Sequence, residues 1–435
     1  MYFYIQGGGF GINSTPNFNA SGIIISADYD LIVVSINYRV GPYGFLTNGD
    51  EITPNNGLRD QRKAMEWVQK HIDKFGGDPH KVVIGGTSAG AASASFHLLA
   101  NNGTDLGLFR GAIASSPSFA ATLTSQQSQY QYNQLAVRLG CAVKDSLGCL
   151  RNKTADEIQE QNFAIPLPGA ANPPSYQWVP TIDNDFVTDL PYRSLRDGKF
   201  VHVPTIWGDD TNGGTQFAPE DTSTQAEANQ FLIDAYPTLT PAQLGEINDM
   251  YPNPNISTCP NEGCFWRQTS NMYQEVRYMC PALYTTSVMA AAANDGSTRS
   301  YHYLWNVEDP DQIAAGLGVP HTIDLEALIG YDYAEDVPES YQEGEINERA
   351  TPNIRGYWTS FMRTLNPNSH RAPDTAEWVP WAGPAGELRR RGGGHCGSQK
   401  RLVFGTGGAT NMTAIDGGLK MRCDYWVKHG IQMLL

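Results

Sequence analysis

Short apolar runs alternate with longer amphipathic stretches along most of this chain. Seven runs are rich in Val, Ile and aromatic residues: Tyr2 to Gln6, Leu31 to Asn37, Val82 to Gly85, Gly111 to Ser115, Val201 to Trp207, Ser300 to Trp305 and Leu402 to Phe404. Several lack polar alternation, as strands covered on both faces do. Between the second and third runs, Ala64, Met65, Val68 and Ile72 recur at helical spacing. They predict a helix from about Leu58 to Phe75, ended by Gly76-Gly77-Asp78-Pro79. Another helix is expected after Ser88, from Ala91 to Leu99. The alternation predicts an α/β fold with a large, mostly parallel central sheet and helices on both faces. The stretches 123–196 and 219–293 hold helical patterns broken by proline, and are expected to cap the sheet and shape a pocket. There is no internal repeat.

At 435 residues, the chain reads as one domain spanning 1–435. Apolar residues make up 40%, enough for a sizeable core, and 44 glycines with 27 prolines imply many turns. The net charge of −15, with no basic stripe, excludes nucleic acid as a partner. The same field repels anionic substrates at long range and favours neutral or cationic ones. No apolar run is long enough to span a membrane, so stable membrane insertion is not expected. Residues 387–398, with Arg389-Arg390-Arg391-Gly392-Gly393-Gly394-His395-Cys396, are basic and glycine-rich within an acidic chain, and read as a disordered insertion.

Met1-Tyr2-Phe3-Tyr4-Ile5 lacks the basic region and cleavage site of a signal peptide and reads as a buried strand. The seven cysteines form no Cys-x-x-Cys pair, which argues against zinc or a thioredoxin-like motif. Cys141 with Cys149, and Cys259 with Cys264, are spaced to close short loops. Glycosylation sequons at Asn13, Asn19, Asn102, Asn152, Asn255 and Asn411 fit a secreted glycoprotein whose targeting segment is absent from this chain.

Gly86-Thr87-Ser88-Ala89-Gly90 matches G-x-S-x-G, with the strand Val82 to Gly85 before it and an Ala/Ser-rich helix after it. A turn that sharp needs glycine on either side of the serine, because side chains there collide with neighbouring backbone. It lifts the hydroxyl above the sheet at a helix N-terminus, where developing negative charge is favoured. Upstream, Gly7-Gly8-Gly9 directly follows a strand. With Ala89, Gly8 and Gly9 would offer three N–H groups to an oxyanion, each worth about 3 kcal/mol in the transition state. The base must be a histidine downstream. His71 sits on a helix, His97 packs against the sheet, His202 and His302 lie on strands, and His395 is in the basic insertion. His321, in Leu317-Gly318-Val319-Pro320-His321-Thr322 between a strand and a helix, is the candidate.

With these motifs the chain resembles the type-B carboxylesterases, the cholinesterase-like α/β-hydrolases, and within them the fungal secreted branch. The resemblance rests on Asn37-Tyr38-Arg39-Val40-Gly41-Pro42-Tyr43-Gly44-Phe45-Leu46, Asn56-Gly57-Leu58-Arg59-Asp60-Gln61, Trp67-Val68-Gln69, Phe75-Gly76-Gly77-Asp78-Pro79 and the serine turn. It extends to Cys423-Asp424-Tyr425-Trp426. It implies Ser88 as nucleophile, His321 as base, and Gly8, Gly9 and Ala89 as oxyanion donors. It also implies disulfides Cys141–Cys149 and Cys280–Cys423, an unpaired Cys396, no cofactor and no metal.

Three departures accompany it. Family members usually carry further strands and a lid loop before the glycines. Gln6 stands where a histidine is often found, and Thr87 where an acidic residue is. The family's triad acid is the glutamate of an Asp-Glu-Gly-Thr turn, which here reads Asn212-Gly213-Gly214-Thr215. Loss of that acid lowers the rate about 10⁴-fold in other serine hydrolases. Asp209, Asp210, another carboxylate or a water stand as replacements. The expected function is hydrolysis of a small neutral or lipid-like carboxylic ester through an acyl-enzyme. The alternatives are a catalytically impaired binding or adhesion module, and an acyl transferase or biosynthetic esterase of secondary metabolism.

Overall fold

The computed structural model describes residues 1–253, 263–292, 298–334, 336–382 and 399–435. Among these, eight strands form one sheet. They are β1 (Tyr2–Ile5), β2 (Val33–Ile36), β3 (Val83–Thr87), β4 (Gly111–Ser115), β5 (Thr205–Asp210), β6 (Ser300–Asn306), β7 (Lys400–Gly405) and β8 (Ala409–Ala414). Their spatial order is β2-β1-β3-β4-β5-β6-β7-β8, parallel throughout except for the antiparallel β7–β8 pair. The mostly parallel sheet read from the sequence is the one observed.

Alternate residues of the inner strands feed two cores. Phe3, Ile5 and Ile84 enter one, with Met65 and Val68 of α1 (Asn56–His71) and the alanines of α2 (Ala89–Gly103). Tyr2, Tyr4 and Val83 enter the other, with Leu328 of α3 (Ile323–Ile329) and Ile354, Trp358 and Phe361 of α4 (Ala350–Thr364). Both faces of the sheet are therefore dry, which explains runs without alternation.

The seven predicted runs all become strands, with shifted ends. Val201 to Pro204 stays outside β5, since Pro204 has no N–H for the ladder. α1 starts slightly earlier than predicted and passes at Ile72 into a tighter turn that Gly76 ends at φ 80°. β8 was not anticipated: most of its Ala, Thr and Asn side chains are exposed, so no apolar stripe marks it. The expected insertion at 387–398 lies outside the described residues, as do Cys259 and Cys396.

Both disulfides implied by the resemblance are present, Cys141–Cys149 and Cys280–Cys423. The second ties α5 (Cys280–Ala292) to the C-terminal helix α6 (Gly417–Gly430) across 143 residues. Loop-closure entropy assigns such a crosslink about 5 kcal/mol. Cys423→Ser is expected to lower the unfolding free energy by about 3–5 kcal/mol in denaturant titration, and Cys149→Ser by less.

The chain leaves the sheet between β1 and β3, where its direction of travel reverses: β2 lies to one side of β1 and all later strands to the other. In open α/β sheets the strand ends at such a reversal form a crevice. The loop after β1 and the turn after β3 both open there.

Candidate active site

Ser88 stands between β3 and α2 at φ 59°, ψ −121°, a strained conformation for a residue with a side chain. Its N–H donates to the Ser115 carbonyl (3.0 Å), and its own carbonyl accepts from Ala92 and Ser118 (2.9 and 3.2 Å). The flanking glycines are required by β1. A Cβ on Gly86 would lie 2.1 Å from the Ile5 carbonyl oxygen, and one on Gly90 2.0 Å from the same atom.

The glycine loop follows β1 directly. Gly8 and Gly9 have φ of 100° and 59°, and the Gly8 carbonyl turns away to accept from Gly11 and Ile12. Among the described residues no carbonyl accepts from the N–H of Gly8, Gly9 or Ala89, so all three are free to donate. Gln6 fixes the loop. Its amide nitrogen donates to Asn13 and Asn37 (2.8 and 2.7 Å), and its amide oxygen accepts from the Thr15 N–H (2.9 Å).

His321 immediately precedes the turn into α3 and is 6% exposed. It lines, with Ser88, Gly8 and Tyr176, one cleft of about 760 Å³. Of the five residues read from the sequence, Gly8, Ser88 and His321 line this cleft, and Gly9 and Ala89 adjoin two of them in the chain. Among the described residues, neither imidazole nitrogen of His321 has a hydrogen-bond partner. The ring packs instead against Tyr278 and Phe217, at 4.3 and 5.3 Å between centroids. Burial, and then the nearby Arg277 guanidinium, push its pKa down to about 3, so it is a neutral imidazole at ordinary pH.

Neither carboxylate offered from the sequence reaches it. Asp210 accepts from Ser116 Oγ and from the Thr322 N–H, both at 2.9 Å, and burial beside Asp324 raises its pKa. Asp209 is buried, and among the described residues neither of its oxygens is hydrogen-bonded. Gly213 occupies the family's acid position, and a Cβ there would lie 3.7 Å from His321 Nδ1. The place for the acid is beside the histidine, with no carboxylate in it.

Asp209 has a consequence for stability. Burial lifts its pKa to about 8, against an opposing pull from Arg401, whereas an unfolded aspartate ionises near 3.8. Above that pH folding must retain a proton, so stability falls as pH rises, until about pH 8. Below 6.5 the buried His97, His302 and His321, all with lowered pKa, oppose this because the unfolded chain takes up their protons. Between pH 6.5 and 8 Asp209 is expected to lower the unfolding free energy by about 1 kcal/mol per pH unit, and Asp210 and Glu326, raised by burial in the same direction, steepen the fall. Denaturant titration in that window checks it, and Asp209→Asn is expected to reduce the slope by about 1 kcal/mol per pH unit.

Tyr176, Phe217, Arg277 and Tyr278 were not read from the sequence as site residues. Tyr176, Arg277 and Tyr278 come from the proline-broken stretches expected to shape a pocket and Phe217 from just before the second of them, and only the tertiary fold brings them to His321. Among the described residues, Glu275, Cys280 and Cys423 form a metal-like grouping, but the sulfurs are joined to each other and the carboxylate is held by Arg422.

Residues 1–388 match the model of the carboxylesterase family. Secreted lipase 4 of Gibberella zeae is 31% identical over 398 residues, covering 87% of this chain and 68% of that protein. Lipase 2 of Diutina rugosa is 34% identical over 268 residues, 58% of this chain and 48% of the lipase. The crystal structure of Aspergillus niger EstA superposes with a TM-score of 0.90 at 34% identity, covering 100% of this chain and 81% of EstA.

Proposed function

The chain belongs to the carboxylesterase family, and from that premise we propose that it hydrolyses carboxylic esters through an acyl-enzyme on Ser88. What supports this is the strained Ser88 turn in the same cleft as Gly8 and His321, with the N–H groups of Gly8 and Gly9 accepted by no carbonyl among the described residues. Ser88 Oγ attacks the ester carbonyl while His321 takes its proton. The oxyanion is held by the N–H groups of Gly8, Gly9 and Ala89. His321 returns the proton to the departing alcohol, and a water activated by the same imidazole then releases the acid. The missing hydrogen bond between His321 and Ser88 is compatible with this, since such bonds often tighten only when substrate binds.

With Gly213 in the acid position, the imidazolium that forms in each step is unsupported, so turnover is slow. That feature favours the binding-module reading, whereas the strained serine turn and the free N–H groups have no purpose in it. We read the chain as one α/β-hydrolase domain and as a secreted protein. The sequons at Asn13, Asn19, Asn102, Asn152 and Asn411 are exposed, as glycosylation requires.

The test is p-nitrophenyl butyrate, with and without an alcohol acceptor. Butyric acid as the main product in both is expected. Butyryl transfer to the acceptor would identify a transferase. No turnover above background at high protein concentration would overturn the enzyme reading.

A further inference from the structure

Beside His321 the fold buries a cation without an anion. Arg277 is 5% exposed and lies in a π-helical turn, Glu275–Met279, a distortion frequent at functional sites. Its Nε donates to Ser118 Oγ (3.0 Å), and among the described residues no carboxylate pairs with it. Two other arginines show the contrast: Arg422 is held by Glu275, only two residues before Arg277, and Arg59 by Asp183. Around Arg277 stand the rings of Tyr176, Tyr273 and Tyr278, at 6.0, 5.5 and 5.9 Å from Cζ. These rings accommodate a cation without supplying it a hydrogen-bond acceptor.

Two further observations point to a ligand. Among the described residues the buried Tyr278 hydroxyl has no partner either, so its O–H is free to donate beside the guanidinium. It also touches each part of the catalytic site. Ser118, which accepts from Arg277, donates its N–H to the Ser88 carbonyl. Tyr278 packs on His321, and Tyr176 lies across Gly9 and lines the cleft. A guanidinium cannot deprotonate to escape burial, and among the described residues its one side-chain hydrogen bond is that from Nε.

We propose that Arg277 and the Tyr278 hydroxyl bind a carboxylate on the substrate, which is then a short half-ester with a free carboxylate a few bonds from the reacting ester. This rests on the ester-hydrolase reading of the same cleft. It replaces the preference for uncharged substrates inferred from net charge. That field is screened within about 10 Å at 0.1 M salt, whereas a desolvated ion pair is not.

The test uses Ser88→Ala protein, so that the probe survives, and calorimetric binding of monomethyl glutarate against methyl glutaramate, its uncharged counterpart. A charge-assisted buried contact predicts at least about tenfold tighter binding of the anion. Arg277→Gln is expected to abolish that preference and Arg277→Lys to keep part of it. Equal binding of the two probes, binding of neither, or a preference that survives Arg277→Gln overturns the proposal. The first comparison leaves Arg277 intact, so it decides even if the arginine variants do not fold. Failure of the ester-hydrolase reading shows separately, as no turnover by the unmodified protein.

Discussion

Gly213→Glu is expected to raise kcat/KM for a p-nitrophenyl ester by about 10⁴-fold, the factor lost when the acid of a serine-hydrolase triad is removed. The position has room. An added Cβ meets nothing closer than 3.7 Å, and the nearest atoms belong to His321. Its backbone lies outside the left-handed region, so a side chain brings no strain there. Neighbouring Gly214 differs, because its Cβ would meet the Ser270 carbonyl oxygen at 2.0 Å. Packing therefore requires glycine at 214 and not at 213. A carboxylate beside Nδ1 would fix the imidazole tautomer and support the imidazolium that burial and Arg277 now disfavour. Two controls separate charge from packing. Gly213→Gln fills the same space without charge and is expected to recover less than about tenfold. The acidic limb of the pH–rate profile is expected near pH 3 in the unmodified protein and to move toward 6.5 in Gly213→Glu.

Ser88→Ala is expected to have very different effects in the two backgrounds. In a complete triad, loss of the serine lowers kcat by about 2 × 10⁶, and loss of the acid alone by about 3 × 10⁴. Because triad members act as a unit, a protein already lacking the acid has only the remainder to lose. Ser88→Ala should thus reduce kcat by about 10²-fold in the unmodified protein, and by about 10⁶-fold in Gly213→Glu. Steady-state kinetics on the four proteins measure this coupling. Equal losses in both backgrounds would show that the introduced carboxylate does not act through the Ser88–His321 pair.

The serine turn and the glycine loop were legible because each is set by adjacent residues: β1 approaches Gly86 and Gly90 too closely for any side chain. His321 was reached by setting aside the other histidines and by a loop position between strand and helix. The absence of the acid at Gly213 was legible through family resemblance alone, since one glycine among 44 carries no local signal. That neither neighbouring aspartate stands in for it was not readable at all. Asp209 and Asp210 adjoin in sequence, but alternation along β5 sends them to opposite faces of the sheet. One comes under the influence of Arg401, and the other accepts from Ser116 and Thr322. β8 escaped because its exposed Thr and Asn side chains leave no apolar periodicity. The Arg277 cluster escaped because Ser118 and Tyr176 join Tyr273, Arg277 and Tyr278 from far away in sequence.

The most direct test of the account is the rate and position of fluorophosphonate labelling, compared between the unmodified protein and Gly213→Glu, with the adduct mapped by peptide mass spectrometry. The account predicts one adduct on Ser88 in both proteins, absent in Ser88→Ala, and formed at least about 100-fold faster in Gly213→Glu. An adduct on another residue, or folded Gly213→Glu protein that labels Ser88 no faster, would contradict it.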